Sequence, residues 1–488
     1  MRIKAPIFVA GSLANQLANN PLLRRKCLEN TKKQQKPAGL RTSGQNRFGR
    51  RSFPVSLRQM IILSRKNTVK QTIGFAGLIA ALLLWSGATQ AALETSIRPT
   101  ARPATATPEV IVVAQTNPQF SAWIKSFRAK ALSKGISAST YDKAFRGVTY
   151  NAYVVGKDRN QSEFTKQIWD YLDTATSDTR VKNGRAALRR HRNLLRRIEA
   201  KYGVDSQIVL SIWGLESAYG AHMGEINIIE ALATLAFDGR RRKFFEAQLI
   251  AALGIIQNGD VQPRNMTGSW AGAMGHTQFI PTSYVAFAQD FRGDGRRDIW
   301  QTDPADGLAS TANYLARHGW VKGQPWGMEV KLPRGFNHAI AGERTKKPVA
   351  EWRKLGVTTI DGKRLPDHGK SSILEPAGAN GAAFIIFNNF HVIERYNTAD
   401  AYVIAVGHLG DRILGGDVIK TKWPRGDKAL SFKQKQEMQK LLTRKGFDTD
   451  GVDGIIGPKT IAAIRAFQQS IGKKPDGYAS TDILKYLK

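Results

Sequence analysis

The sequence predicts a mainly α-helical protein with a large body and a small three-helix module at its C-terminal end. Two observations carry that expectation. From Phe120 onward apolar residues recur at three- and four-residue intervals, and after residue 430 three short amphipathic stretches are joined by Asp-Gly turns. A chain of 488 residues, 42% hydrophobic and 9% aromatic, has room for a substantial core and about three domains.

The region before the first helix reads as leader and linker. Residues 1–59 hold thirteen Lys and Arg against one acid, Glu29, and show no sustained apolar period. Met60, the basic residues Arg65, Lys66 and Lys70, the apolar run Ile73–Trp85 and the small residues up to Ala91 follow in the order of a secretory signal peptide. The apolar run is short for a bilayer crossing. We therefore expect residues 1–59 to be a start-site artefact, 60–91 a signal peptide cleaved after Ala91 or Ala88, and 92–117 a Pro/Thr/Ala-rich linker. The alternative is an uncleaved anchor over 73–91, with the basic tail inside the cell. Cys27, the single cysteine, lies in the leader, so the exported chain has no disulfide, thiolate metal site or nucleophilic cysteine. With no cysteine after the apolar run, an N-terminal lipid anchor of the bacterial lipoprotein kind is not expected.

The formal net charge of +34 falls to about +19 once residues 1–91 are removed. Such a surface suits a polyanionic partner. Export and the lack of a recognised binding motif argue against nucleic acid.

The elements follow in order. Phe120, Trp123, Ile124 and Phe127 share a helical face, continued by Leu132, Ile136, Tyr141 and Phe145. Residues 180–202 form one strongly basic helix with Leu188, Leu194, Leu195 and Ile198 inward. Two helical stretches lie between 226 and 257. Residues 268–289 begin glycine-rich and turn helical, and 307–317 is a helix stopped by Gly319. The stretch 321–376 has no clear period, 384–396 is strand or extended chain, and 398–413 is helix. A linker at 416–429 precedes the module at 430–488, whose segments 448–460 and 475–487 form a weak repeat, each a D-G turn running into a helix.

The stretch SIWGLESAYG, residues 211–220, is the chemical centre. Val209, Ile212, Trp213 and Glu216 fall on one helical face, with Asp205 as N-cap and Gly220 as stop. A carboxylate on an apolar stripe either reaches solvent or an arginine, or is an acid whose pKa is raised for protonating a leaving group. The helix alone does not decide.

Its companions do. WGLESAYG, ALATLAFDGRRRKFF, GSWAGAMGHTQFIPTSY, DFRGDGRRDIW, ASTANYLARHGW and ERYN occur in this order, and together they resemble the membrane-bound lytic murein transglycosylase B family over residues 118–415. Residues 430–487, through GVDGIIGPKTIAAIRAFQ, resemble a three-helix peptidoglycan-binding domain.

The resemblance implies a lysozyme-like α-helical catalytic domain in the periplasm and peptidoglycan strands as partner. It also implies non-hydrolytic cleavage of the MurNAc-β-1,4-GlcNAc bond, giving 1,6-anhydroMurNAc ends. One glutamate, here Glu216, would serve as acid and then base. A hydrolytic muramidase on the same fold and a non-catalytic peptidoglycan-binding scaffold are the alternatives. By the same resemblance Tyr171, Ser269, Gln278, Tyr314, Tyr396 and Asn397 line the substrate cleft. Glu225 is expected to be structural rather than a second catalytic acid. The enzyme is expected to need no cofactor, to be a monomer, and to meet cell-wall synthesis or secretion machinery.

The loop DFRGDGRRDIW raises a calcium reading through Asp290, Asp294 and, downstream, Asp306. An EF-hand loop supplies an oxygen at its third position and a bidentate acid at its twelfth. Here those positions hold Arg292 and Gln301. A structural turn is therefore the expectation, with no metal.

Overall fold

A computed structural model describes residues 117–159 and 166–488. The leader, the signal segment, Cys27 and all but the last residue of the linker lie outside the described residues. Among the described residues no helix is long and apolar enough to cross a membrane.

The body begins with α1 (Pro118–Ser133), α2 (Ala138–Ala144), α3 (Ala152–Arg159), α4 (Ile168–Ala175), α5 (Asp178–Arg190) and α6 (Arg192–Tyr202). Asn117, Ser137 and Ser177 cap α1, α2 and α5 by accepting from backbone N–H groups of the first turn. The expected single basic helix is two, because the chain breaks at His191 and restarts.

The central helix α7 (Ser206–Ser217) packs against α5, α6 and the later helices over Ala305–Arg317 and Asp400–Ile413. Ile208 to Gly214 are all buried, so the middle of this helix is enclosed around its whole circumference, with Ser211 the one hydroxyl among apolar residues. A two-stranded antiparallel ladder pairs β1 (Ile226–Asn227) with β2 (Thr267–Gly268) around α8 (Ile228–Asp238) and α9 (Arg242–Gln257). Then come α10 (Pro281–Phe287) and α11 (Ala305–Arg317).

Residues 321–376, where no period was legible, build most of an antiparallel sheet of order β4-β6-β7-β3-β5. Its strands are β3 (Gly327–Lys331), β4 (Lys347–Pro348), β5 (Thr358–Thr359), β6 (Lys370–Leu374) and β7 (Ala383–Ile386), with α12 (Val349–Lys354) between β4 and β5. The register sets Ile385 opposite Met328 and Ile373. Along β7, Phe384 and Ile386 face the main helical core while Ala383 and Ile385 face a second core around Trp352, Val349 and Phe336. Burial of both faces accounts for the unbroken apolar run FIIF. The chain then returns to helix as α13 (Asn388–Glu394) and α14 (Asp400–Ile413), so the expected extended segment 384–396 is strand only at its start.

The C-terminal module has its own core, with Leu430, Met438, Leu442, Ile464, Phe467, Leu484 and Leu487 inside α15 (Phe432–Arg444), α16 (Pro458–Ser470) and α17 (Thr481–Leu487). Its weak repeat has a physical basis. Buried Gln439 donates to Asp453 and accepts from the Gly454 N–H, and buried Gln468 does the same with Asp476 and Gly477. Each Asp-Gly turn is thus clamped by a glutamine from the preceding helix.

Candidate active site

Glu216 sits in the last turn of α7, and the helix ends in an uncommon way. Ala218 and Tyr219 both hold positive φ, 51° and 60°, directly after it. The helix therefore stops at Ser217, three residues before the expected stop at Gly220. Non-glycine residues persist there only where packing over-determines them, and here it does. The Tyr219 ring fills a slot left by two glycines: a Cβ on Gly214 would meet its ring and one on Gly184 its hydroxyl. The Tyr219 hydroxyl donates to the Arg180 carbonyl at 3.0 Å, and Arg180 in turn donates to the Gly214 carbonyl.

His276, in the glycine-rich loop, latches this helix end. Its Nδ1 accepts from Trp213 Nε1 at 3.1 Å and its Nε2 lies 2.6 Å from the Gln301 carbonyl, which defines the tautomer with hydrogen on Nε2. Ser217 Oγ donates to the His276 carbonyl at 2.6 Å and accepts from the Gly220 N–H. Asp205 begins the helix by position but makes no cap bond. Its carboxylate accepts from Trp320 Nε1 and the Gly323 N–H instead.

These contacts aim Glu216 into a desolvated pocket of phenols. The Tyr402 hydroxyl, from the first turn of α14, donates to Glu216 Oε1 at 2.6 Å. Oε2 is buried and has no hydrogen-bond partner among the described residues. Burial pushes the carboxyl up from its usual 4.5 to about 8, with the Tyr402 hydrogen bond acting in the opposite direction. Among the described residues no other carboxylate contributes to that rise. At neutral pH the group is mostly protonated. Since Oε1 already accepts from Tyr402, the proton belongs on Oε2, the oxygen with no protein acceptor. Tyr171, Tyr396 and Tyr402 are all held above the usual phenol range, first by burial and then by the Glu216 charge.

The remaining expected residues sit in the glycine-rich loop (Ser269 and Gln278), in α11 (Tyr314) and in the turn before α14 (Tyr396 and Asn397). Gln278, itself at φ 55°, donates from Nε2 to the carbonyls of Met223 and Gly275, leaving Oε1 as an acceptor. Ser269 is buried in the same loop, its Oγ accepting from the Ala273 N–H at 3.0 Å. Tyr396 donates to the Thr277 carbonyl and Tyr314 to the Arg395 carbonyl. Their rings pack 5.1 Å apart beside Phe279. Asn397 Oδ1 accepts from the Ala399 N–H, turning the chain into α14. Glu225 is exposed in the loop before β1.

Two contributors escaped the sequence reading, Tyr402 and His276. The signals the sequence carries for them are slight: Tyr402 is a phenol in a helix of Val, Ile and Ala, and His276 a histidine inside an otherwise apolar, glycine-rich motif.

A helical body with a half-buried glutamate at the end of its central helix, its carboxyl pushed up in pKa by burial and held by one phenol, is the arrangement of a lysozyme-like fold. Comparison with known proteins narrows the class. Residues 119–411, well over half the chain, match the transglycosylase SLT domain family, and the chain belongs to that family. Residues 434–487 match a peptidoglycan binding domain family. The membrane-bound lytic murein transglycosylase B of Escherichia coli K12 is 36% identical over 240 residues, 48% of this chain and 63% of that protein's length.

Among solved structures, SltB3 from Pseudomonas aeruginosa in complex with NAG-anhNAM-pentapeptide is 49% identical with a TM-score of 0.74. That match covers 76% of this chain and 99% of the SltB3 chain. The Escherichia coli lytic transglycosylase Slt35 in complex with calcium is 30% identical with a TM-score of 0.52, covering 61% and 93%.

Proposed function

We propose that the chain is a peptidoglycan lytic transglycosylase that cleaves the MurNAc-β-1,4-GlcNAc bond and leaves a 1,6-anhydroMurNAc end. The observation that carries this reading is the state of Glu216: its carboxyl pKa raised by burial to about 8 and, among the described residues, Oε2 unpartnered and no second carboxylate acting on it. A glycosidase that uses two carboxylates needs one as acid and one as nucleophile or base. A single acid suits a reaction in which the sugar supplies the nucleophile.

In the first step Glu216 Oε2–H protonates the glycosidic oxygen, the bond to the muramyl C1 breaks, and the leaving sugar departs with that proton. The carboxylate left behind accepts from Tyr402. In the second step that carboxylate takes the proton from the muramyl 6-hydroxyl as its oxygen bonds to C1, which restores the acid. By the resemblance to the family, substrate would meet the Gln278 Oε1 acceptor and a wall that includes Tyr171, Ser269, Tyr314, Tyr396 and Asn397, the last four more than nine-tenths buried. The similarity to SltB3, captured with NAG-anhNAM-pentapeptide, supports both substrate class and product.

The exported chain would act in the periplasm, with residues 430–488 holding it on the polymer and residues 118–415 performing the cleavage. Turnover of purified sacculi tests the assignment. Glu216→Gln should lower the rate by at least about 10²–10³, the scale for losing an acid–base group. Full activity in that variant would remove Glu216 from the mechanism.

A further inference from the structure

The loop after α10 is built like a cation site, and its chemistry is settled by one side chain. Asp290, Asp294 and Asp306 bring carboxylate oxygens close enough to share an ion. Asp290 accepts from the N–H groups of Gly293, Asp294 and Gly295, wrapping the loop around itself. Asp306, fully buried, accepts from the N–H groups of Phe291, Arg292 and Asp298.

A divalent ion would need oxygens about 2.3–2.6 Å away at the third and twelfth loop positions as well. Those positions are bonded to each other instead: Arg292 Nη1 donates to Gln301 Oε1 at 2.9 Å. Arg292 Nη2 lies 3.3 Å from both Asp294 Oδ2 and Asp306 Oδ2, between the oxygens an ion would bridge. The guanidinium is mostly buried, its side chain 18% exposed. The residues present do not fit calcium.

We propose that Arg292 is the resident cation of this loop, doing within the chain what a divalent ion would do, so that the fold is independent of calcium. The consequence reaches the catalytic helix, because the backbone of the same loop accepts from His276 at the Ile299 and Gln301 carbonyls. A planar guanidinium bridges two carboxylates and an amide at once, which lysine's point charge does not.

Melting of the full chain in EDTA and in millimolar calcium chloride tests the proposal. The wild type should melt within about 1 °C in the two conditions, since an ion that does not bind the native state adds no stability. R292N, which removes the cation and supplies an oxygen, should melt roughly 5–10 °C lower in EDTA, as expected for stranding buried charge. It should recover several degrees in calcium and show calcium binding by titration calorimetry. R292A should recover less. Should R292N fold poorly, R292K keeps the charge and is expected to show a smaller fall that calcium does not reverse. Calcium binding to the wild type, with a melting temperature that EDTA lowers, would overturn the proposal. An undiminished melting temperature of R292N in EDTA would overturn it equally.

Discussion

Replacing Tyr402 by Phe deletes one oxygen and tests how the acid is set. The Tyr402 hydroxyl is the hydrogen-bond donor to Glu216 Oε1, and Oε2 has no partner, so the variant leaves the buried carboxyl unsupported on both oxygens. A hydrogen bond to a charged group contributes about 1.5–3 kcal/mol. It favours the carboxylate, because it opposes the burial that raises the pKa to about 8. Removing it should therefore raise the Glu216 pKa further, by about 1–2 units at 1.36 kcal/mol per unit.

Two consequences separate in a pH profile of turnover on soluble muropeptides. The basic limb, where Glu216 loses its proton, should move upward from about pH 8 by that amount. The limiting rate should fall roughly 10–100-fold, because the carboxylate formed after protonation has lost its donor. The phenyl ring keeps its packing on α14, so the melting temperature serves as a control for folding. An unshifted limb together with an unchanged limiting rate would refute the argument that this phenol stabilises the ionised acid.

Two further predictions concern Glu216 and the C-terminal module. A carboxyl whose pKa is raised from 4.5 to about 8 contributes stability that is fully present below pH 4.5 and lost as pH rises through 8. Glu216→Gln removes that titration, so its stability advantage over wild type should grow from near zero at acid pH to as much as about 5 kcal/mol above pH 8, read by denaturant melts at each pH. A constant difference across that range would contradict burial as the cause of the shift. Deleting residues 430–488 removes a module with its own core, joined to the body by contacts such as Arg465 to the Ala341 carbonyl and Tyr478 to Gln167. Pelleting with insoluble peptidoglycan should weaken at least about tenfold, while turnover of short soluble chains changes little. Equal loss in both assays would argue against separate binding and cleavage modules.

Local patterns made much of this molecule legible. The stripe Val209, Ile212, Trp213 and Glu216 placed the acid on a buried helix face because helical neighbours are close in sequence. The three helices of the C-terminal module were legible for the same reason. What stayed hidden depends on contacts across the chain. Tyr402 reaches Glu216 from 186 residues away, with no spacing to announce it. The helix end was misplaced because the left-handed conformation begins already at Ala218 and Tyr219, held there by the slot at Gly184 and Gly214, ahead of Gly220, which shares it at φ 86°. The sheet was missed because its strands are two to five residues long and β7 is buried on both faces, so no alternation could appear. Arg292 was legible as a cation where a ligand belongs. Its bridge between Asp294 and Asp306 was not.

The central claim is that a single acid suffices because the substrate captures its own C1. The masses of the muropeptides released from sacculi by the purified chain, from residue 92 onward, test it most directly. Products one water lighter than hydrolysed muropeptides, without a reducing end, are the predicted result. Reducing muropeptides of full hydrolytic mass would show that water reaches C1 and would contradict the claim.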